Sequence, residues 1–535
     1  MTPNTGWEAA IRKLRIGVIE LVTNAPSRSL WARVMYANFA NIMPQAIAAW
    51  CEEEGHDVTY LCYRGFENFA EEFQNNYDIV FIGAYTQCAQ LAYALSNLFR
   101  SKGAVTALGG PHARSYPDDA SKYFDYVFGL TDRDKVRDVL QDCSRHRPRG
   151  LRISAKQQPS TLPGVRERWK FIEKNLQNSP LIKVVPMLSS LGCPYTCSFC
   201  IDSVVPYQQL SLDMMKEDLR FLLKKFKRPR VGWFDPNFGV RFEDCMSAIE
   251  EVVPPGSIDF YAESSLSLLS EPHLKRLERN GFKVIMPGIE SWYDMGNKSK
   301  TGKKGGMDKV VQVSEHINMI LSYIPYLQAN FVLGLDADEG PEPFELTKRF
   351  VDIAQGAFPA YSMLSAFGES APLNIEYERA NRIVPIPFHF LNTQQAMNVR
   401  PKNYSWPEFY EHLIDVTRHT FSPRAIINRF RVIKPVLWRC MNVLRAFSSQ
   451  GTGRVKYHTE VLNRLHNDRK FRDFFEQETT ELPQFYVDRI RNDLGQLWEW
   501  LPEGALYYDS NVYSRSEAMR LSIQSAANPQ YEPAG

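Results

Sequence analysis

The chain shows almost no excess of either charge: 63 Lys and Arg stand against 61 Asp and Glu, a formal net of +2 over 535 residues. Such a balance gives no field that would draw in a polyanion, so nucleic acid is not expected as the main partner, although local basic patches are not excluded. Long apolar runs are missing as well. No stretch is long enough to cross a bilayer as a helix. The opening MTPNTGWEAAIRKLRIGVIEL has no apolar core followed by a small-residue cleavage site, so it does not read as a secretory signal. A cytoplasmic location is the expectation. Cysteine is sparse: six of the nine (Cys51, Cys62, Cys88, Cys143, Cys245, Cys440) are scattered, as buried thiols of a reducing compartment are, and form no disulfide framework. There is no repeat of solenoid period. The remaining composition, 44% hydrophobic and 23% charged, is that of a globular protein long enough for two or three domains.

From Arg15 to about Cys143 strand and helix patterns alternate. RIGVIELV, HDVTYLCY, YDIVFIGAY, AVTALGG and DYVFGL read as strands, with helices over MPQAIAAWCEEEG and AQLAYALSNLFRSKG, each closed by a glycine. This predicts a doubly wound parallel sheet of Rossmann type over residues 1–143, whose ligand sits at the carboxyl ends of the strands. A polar, basic stretch, 144–181, reads as a linker. IKVVPML, VGWFD, IDFYAE, KVIMPGIE, LQANFVLGL and AYSMLSAF then repeat the strand pattern within 182–400, predicting a full or partial (β/α) barrel with its site at the C-terminal strand ends. Residues 401–535 are helical in pattern and rich in aromatics. They include the basic run SPRAIINRFRVIKPVLWRCMNVLRAF, which reads either as a helix packed on the barrel or as a membrane-surface segment.

The remaining three cysteines are close together. CPYTCSFC places Cys193, Cys197 and Cys200 in the loop after the first barrel strand. Three thiolates so spaced can ligate a cuboidal iron-sulfur cluster and leave its fourth iron without a protein ligand, whereas a structural zinc site needs four. The zinc reading would recruit a remote ligand such as Cys245, and the chain contains no second paired-cysteine knuckle.

This octapeptide, with Phe199 just before its last cysteine, resembles the signature of the radical S-adenosylmethionine superfamily. The resemblance implies a [4Fe-4S] cluster on Cys193, Cys197 and Cys200, with S-adenosylmethionine chelating the open iron and being cleaved to a 5′-deoxyadenosyl radical. It extends to GWFDPNF, where Asp235 and Asn237 are implied contacts of S-adenosylmethionine although Pro236 replaces a second acid. It extends also to the stretch carrying Glu263, Gly288, Glu290 and Ser291, and to Gly334 as a strand-end glycine beside the cofactor. The first domain resembles the cobalamin-binding domain found in front of such barrels, implying a corrin tail near Thr86, Gly109, Gly110 and Pro111. The Asp-x-His-x-x-Gly loop that supplies a histidine to cobalt is absent; TNAPSRSLW stands there instead. His112 reads as a locally hydrogen-bonded residue before a metal ligand.

The group resembled contains hopanoid methylases and the anaerobic magnesium-protoporphyrin ester cyclase, and the similarity reaches GLDADEGPEPFELTKRFVD and FSPRAIINRF. It implies cobalamin-dependent methyl transfer to an unactivated carbon of a small-molecule or lipid-like substrate, selected by the helical C-terminal region, with a reductant such as flavodoxin or ferredoxin. Radical oxidative cyclisation without methyl transfer stays open, and a non-catalytic metal or corrin carrier is the alternative of another class. RNA methylthiolation is disfavoured, since neither a second cluster pattern nor an added basic module is present. No acid, base or nucleophile is singled out.

Overall fold

RIGVIEL is apolar on both faces, and a strand of that kind belongs inside a parallel sheet. In the computed structural model it forms β1 (Arg15–Leu21), buried from Ile16 onward. The structure describes residues 12–27, 30–35, 39–73, 76–143, 146–179, 182–293 and 305–510. Beside β1 lie β2 (Asp57–Tyr63), β3 (Ile79–Ala84), β4 (Val105–Gly109), β5 (Tyr126–Phe128) and β6 (Leu151–Ile153), in the order β2-β1-β3-β4-β5-β6 and parallel throughout. The order reverses between β1 and β3, so a crevice opens at their carboxyl ends.

The segment read as a linker is built into this domain. Its β6 pairs with β5, and the helix Trp169–Gln177 buries Phe171 in the core cluster of β1–β5. A three-residue edge strand with an exposed Leu151 has too few residues to display a period, and its polar, proline-bearing neighbours concealed it.

The second sheet starts at β7 (Val185–Met187). A short antiparallel pair, β8 (Ser190–Leu191) and β9 (Gln208–Gln209), encloses the cysteine loop. Then β10 (Arg230–Trp233), β11 (Asp259–Ser265), β12 (Phe282–Glu290), β13 (Tyr326–Leu333) and β14 (Phe358–Met363) follow in the order β14-β13-β12-β11-β10-β7, all parallel. Among the described residues β7 and β14 are left as edges, so the barrel is a partial one of six strands.

Six helices follow from Trp406 to Leu494, the first opened by a Ser405/Glu408 capping box. The stretch after them reaches back to the first domain. Gln90 Nε2 and Asn97 Nδ2, on the helix Ala89–Ser101, donate to the carbonyls of Ala505 and Trp500. One apolar cluster runs continuously from Ile19 and Leu21 through the barrel to Tyr508. Among the described residues, no helix is long and apolar enough to cross a membrane.

Candidate active site

The cysteine loop is held at both ends. Gly192 has φ +68°, and a Cβ there would lie 2.4 Å from the Pro206 carbonyl oxygen and 2.6 Å from that of Val205, so only glycine lets the loop fold back on itself. Inside the loop the Cys200 amide donates to the Cys197 carbonyl at 3.0 Å, and Ser203 Oγ donates to the Cys200 carbonyl at 2.7 Å. All three cysteines are half-buried. Gly192→Ala is therefore expected to lose most of its iron and sulfide on anaerobic reconstitution while keeping its helical circular dichroism; full iron loading would show that this fold-back does not matter.

Among the described residues no three His, Cys, Asp or Glu side chains converge on one ion-sized point, the three loop cysteines included. Cys245, in the helix Phe242–Val252, accepts from Gln209 Nε2 of β9 at 3.9 Å, and its thiol is pushed up to about 11 by burial.

Asp235 is 1% exposed, with its carboxylate committed. It accepts from Ser189 N at 3.1 Å, Ser189 Oγ at 2.6 Å and Ser190 Oγ at 2.8 Å, which anchors β8 just before the cysteines. Burial raises its pKa, and these serine bonds pull it back. Asn237 Oδ1 accepts from Ser265 N at 2.9 Å and ties the end of β10 to that of β11. Both side chains brace strand ends.

A chamber of about 410 Å³ opens at the barrel mouth, lined among others by Phe199, Cys200, Glu290, Ser362 and Met363. Glu290 follows a register shift in β12 and has φ +67°, a conformation that costs a residue with a side chain on the order of 1 kcal/mol and clusters at functional sites. Its carboxylate folds back over Gly288, where a Cβ would stand 2.2 Å from Glu290 Oε1. Ser291 is buried and its Oγ accepts from Tyr293 N at 3.1 Å; Glu263 is exposed on β11. Gly334 takes no part in the chamber lining. Its missing side chain is required by packing, because a Cβ would meet Phe409 at 2.8 Å and Met397 at 3.0 Å.

A second cavity, about 290 Å³, lies at the carboxyl ends of the first sheet. Glu20, Gly109, Gly110 and Pro111 form one wall, and Leu188, Ser190 and Phe234 of the barrel form the other. Gly110 has φ +95° and approaches Ala84, whose carbonyl oxygen would be 3.0 Å from an added Cβ. Thr86, expected beside the corrin tail, is buried in a 3-10 turn after β3 and lines the barrel chamber instead. Tyr85 and Pro111 line both cavities, so crevice and chamber adjoin. His112 lines neither; its Nε2 meets Tyr93 Oη at 2.6 Å, and burial lowers its pKa to about 3.

Sequence reasoning missed Glu20, although an acid inside the buried strand RIGVIEL was a visible signal. Its carboxyl accepts from Asn41 Nδ2 at 2.7 Å and Tyr60 Oη at 2.8 Å, and Asn41 Oδ1 accepts from Tyr85 Oη at 3.0 Å. Burial outweighs these bonds and raises its pKa from 4.5 to about 7. The folded state then binds a proton that the unfolded state releases, so stability falls as pH rises from the ordinary carboxylate value through 7, by on the order of 3 kcal/mol. Glu20→Gln keeps the network in neutral form. It should melt with a smaller pH dependence than wild type between about pH 5 and 8; identical pH profiles would contradict the assignment.

No family model matches this chain. Two curated relatives from Chlorobaculum tepidum are similar to it. Bacteriochlorophyllide d C-12(1)-methyltransferase is 23% identical over 388 residues, 71% of this chain and 82% of that protein. Bacteriochlorophyllide d C-8(2)-methyltransferase is 22% identical over 387 residues, 66% and 83% respectively. Among solved structures, TsrM from Kitasatospora setae, a radical S-adenosylmethionine methyltransferase with cobalamin and a [4Fe-4S] cluster bound, has 12% identity and a TM-score of 0.53, covering 90% of this chain and 99% of that one. A second TsrM structure, with tryptophan and a S-adenosylmethionine analogue, gives a TM-score of 0.50 over 79% and 89%.

The chain thus shares the fold of a solved radical S-adenosylmethionine methyltransferase, a doubly wound sheet in front of a partial barrel with the cysteine loop after its first strand. The two curated relatives it resembles are both C-methyltransferases of bacteriochlorophyllide d.

Proposed function

We propose that this protein transfers a methyl group from S-adenosylmethionine to an unactivated carbon of a small-molecule or lipid-like substrate. The observation that carries the reading is the shared wall: Tyr85 and Pro111 border both the crevice of the first sheet and the chamber that contains Cys200. A methyl carrier in one cavity and a radical generator in the other would thus meet at one mouth, as positioning chemistry requires. When bound, the cluster supplies the electron that cleaves S-adenosylmethionine, and the corrin carries the methyl group.

The chain's own residues hold and orient. Cys193, Cys197 and Cys200 supply three thiolates. Glu290, over Gly288, faces the chamber and can accept hydrogen bonds from an amino group or a ribose, with Ser291 and Glu263 at neighbouring strand ends. Asp235 and Asn237 act as positioning residues for the loops that carry these groups. Gly109, Gly110 and Pro111 leave room for a corrin tail. Val332, Met363, Leu364, Phe367 and Leu391 give the chamber an apolar side, which suits a substrate with a large apolar body. A low-potential donor such as flavodoxin or ferredoxin would deliver the electron. Six scattered thiols and an oxygen-sensitive cluster fit the reducing cytoplasm.

The test is anaerobic reconstitution with iron, sulfide and hydroxocobalamin. The expected protein retains corrin absorbance through gel filtration and makes 5′-deoxyadenosine when given S-adenosylmethionine and reductant. 5′-Deoxyadenosine without bound corrin would overturn methyl transfer and leave corrin-independent radical chemistry.

A further inference from the structure

The helices Pro423–Val432 and Val436–Ala446 close the barrel at the N-terminal ends of its strands. Their inward faces are committed. Arg445 donates to Tyr326 Oη and Gln328 Oε1, both at 2.6 Å, and its guanidinium stands 3.6 Å from the centre of the Phe358 ring. Trp438, Met441 and Ile433 join the apolar cluster around those strand starts.

The outward faces are of another kind. Arg424, Ile427 and Arg431 recur at helical spacing, with Phe430 and Lys434 alongside, and all five are exposed. Val432, Val436, Leu437 and Phe447 extend the ridge, Val436 and Phe447 being 69% and 66% exposed. The sequence contains no Asp or Glu between Asp415 and Glu460. The adjoining helix Glu342–Ile353 brings one carboxylate to this end, Asp352, which is held by His419 Nε2 at 3.0 Å. Ordinary soluble surfaces scatter single apolar side chains among charges of both signs. Here large apolar side chains are gathered and the charges among them are all positive.

We infer that this face docks the enzyme on an anionic phospholipid bilayer. Ile427, Phe430, Val432, Val436 and Leu437 enter the acyl boundary, and Arg424, Arg431 and Lys434 meet the headgroups. Pairing of two copies through the same face would oppose like charges. The geometry has a consequence for substrate entry. The patch lies at the strand starts and the chamber at the strand ends, so the length of β13, eight residues or roughly 25 Å, separates the two. The docked protein holds its mouth toward water, and an apolar substrate must reach it from that side.

The test is flotation of the full-length protein with vesicles of phosphatidylcholine alone or mixed with phosphatidylglycerol. Wild type should float with the anionic vesicles and less so as salt rises. Phe430→Ser/Val436→Ser/Leu437→Ser and, separately, Arg431→Glu/Lys434→Glu should each weaken binding by about tenfold or more. Gel filtration, circular dichroism and 5′-deoxyadenosine formation should be unchanged, since none of these residues lines the chamber. Absence of flotation, or flotation equal in wild type and both variants, would overturn the inference. So would a wild-type dimer that the serine variant dissociates, which would assign the face to self-association. Vesicle binding needs neither substrate nor corrin, so this inference and the proposed chemistry fail independently.

Discussion

Replacing Cys197 with alanine is expected to bring 5′-deoxyadenosine formation down to the level of a protein-free control. Cys197 is the middle one of the three proposed cluster ligands, in a loop whose ends are fixed by Gly192 and whose turn runs from the Cys197 carbonyl to the Cys200 amide. A cuboidal cluster held by two thiolates loses a second iron ligand in addition to the site left for S-adenosylmethionine, so neither cluster retention nor cleavage should survive. The contrasting variant is Cys245→Ala. That thiol is buried in the helix Phe242–Val252 and pushed up to about 11, so it is a neutral packing residue, and its removal should leave iron content and 5′-deoxyadenosine unchanged. Loss of iron from Cys245→Ala would revive a four-ligand metal site.

Gly109→Val should empty the first domain of corrin and spare the radical chemistry. An added Cβ at Gly109 meets only Phe128 Cβ, at 3.9 Å, so the backbone tolerates it and the side chain enters the crevice that Gly109 lines. Hydroxocobalamin affinity should fall at least about tenfold, equivalent to about 1.4 kcal/mol. Circular dichroism, iron content and 5′-deoxyadenosine should persist, because the cysteine loop lies across the shared wall in the other domain. Gly110→Ala is the harsher change at the neighbouring position. Its φ of +95° and the Ala84 carbonyl at 3.0 Å force the strand end to move, so it should lower stability as well as corrin retention. Full corrin binding by Gly109→Val would remove the crevice from the account.

The strands were legible because β1, β3 and β4 are buried on both faces and read as apolar runs, while β13 alternates buried and half-buried positions; β1 and β13 begin and end within a residue or two of the sequence patterns. The cysteine loop was legible because its spacing is local. What the sequence concealed depends on distant partners. Asp235 looked like a cofactor contact until Ser189 and Ser190 were found to hold both its oxygens. Gly334 looked like a cofactor glycine, yet the space beside it belongs to Phe409 and Met397, more than sixty residues away. Thr86 sits one residue beyond Tyr85, and the 3-10 turn there rotates it into the barrel chamber. The β6 strand is too short to carry a period. In the basic helices after Phe421, the sequence offered two alternatives, packing on the barrel or lying on a membrane surface; the inward faces pack on the barrel, and the outward faces are exposed.

The central claim is that one mouth serves two uses of S-adenosylmethionine. The most direct measurement is to incubate the reconstituted, corrin-loaded protein with S-adenosylmethionine and a low-potential reductant and to quantify S-adenosylhomocysteine and 5′-deoxyadenosine from the same reaction. The account predicts both products from wild type, S-adenosylhomocysteine alone reduced by Gly109→Val, and 5′-deoxyadenosine abolished by Cys197→Ala. Formation of 5′-deoxyadenosine with no S-adenosylhomocysteine, in protein that retains its corrin, would contradict it.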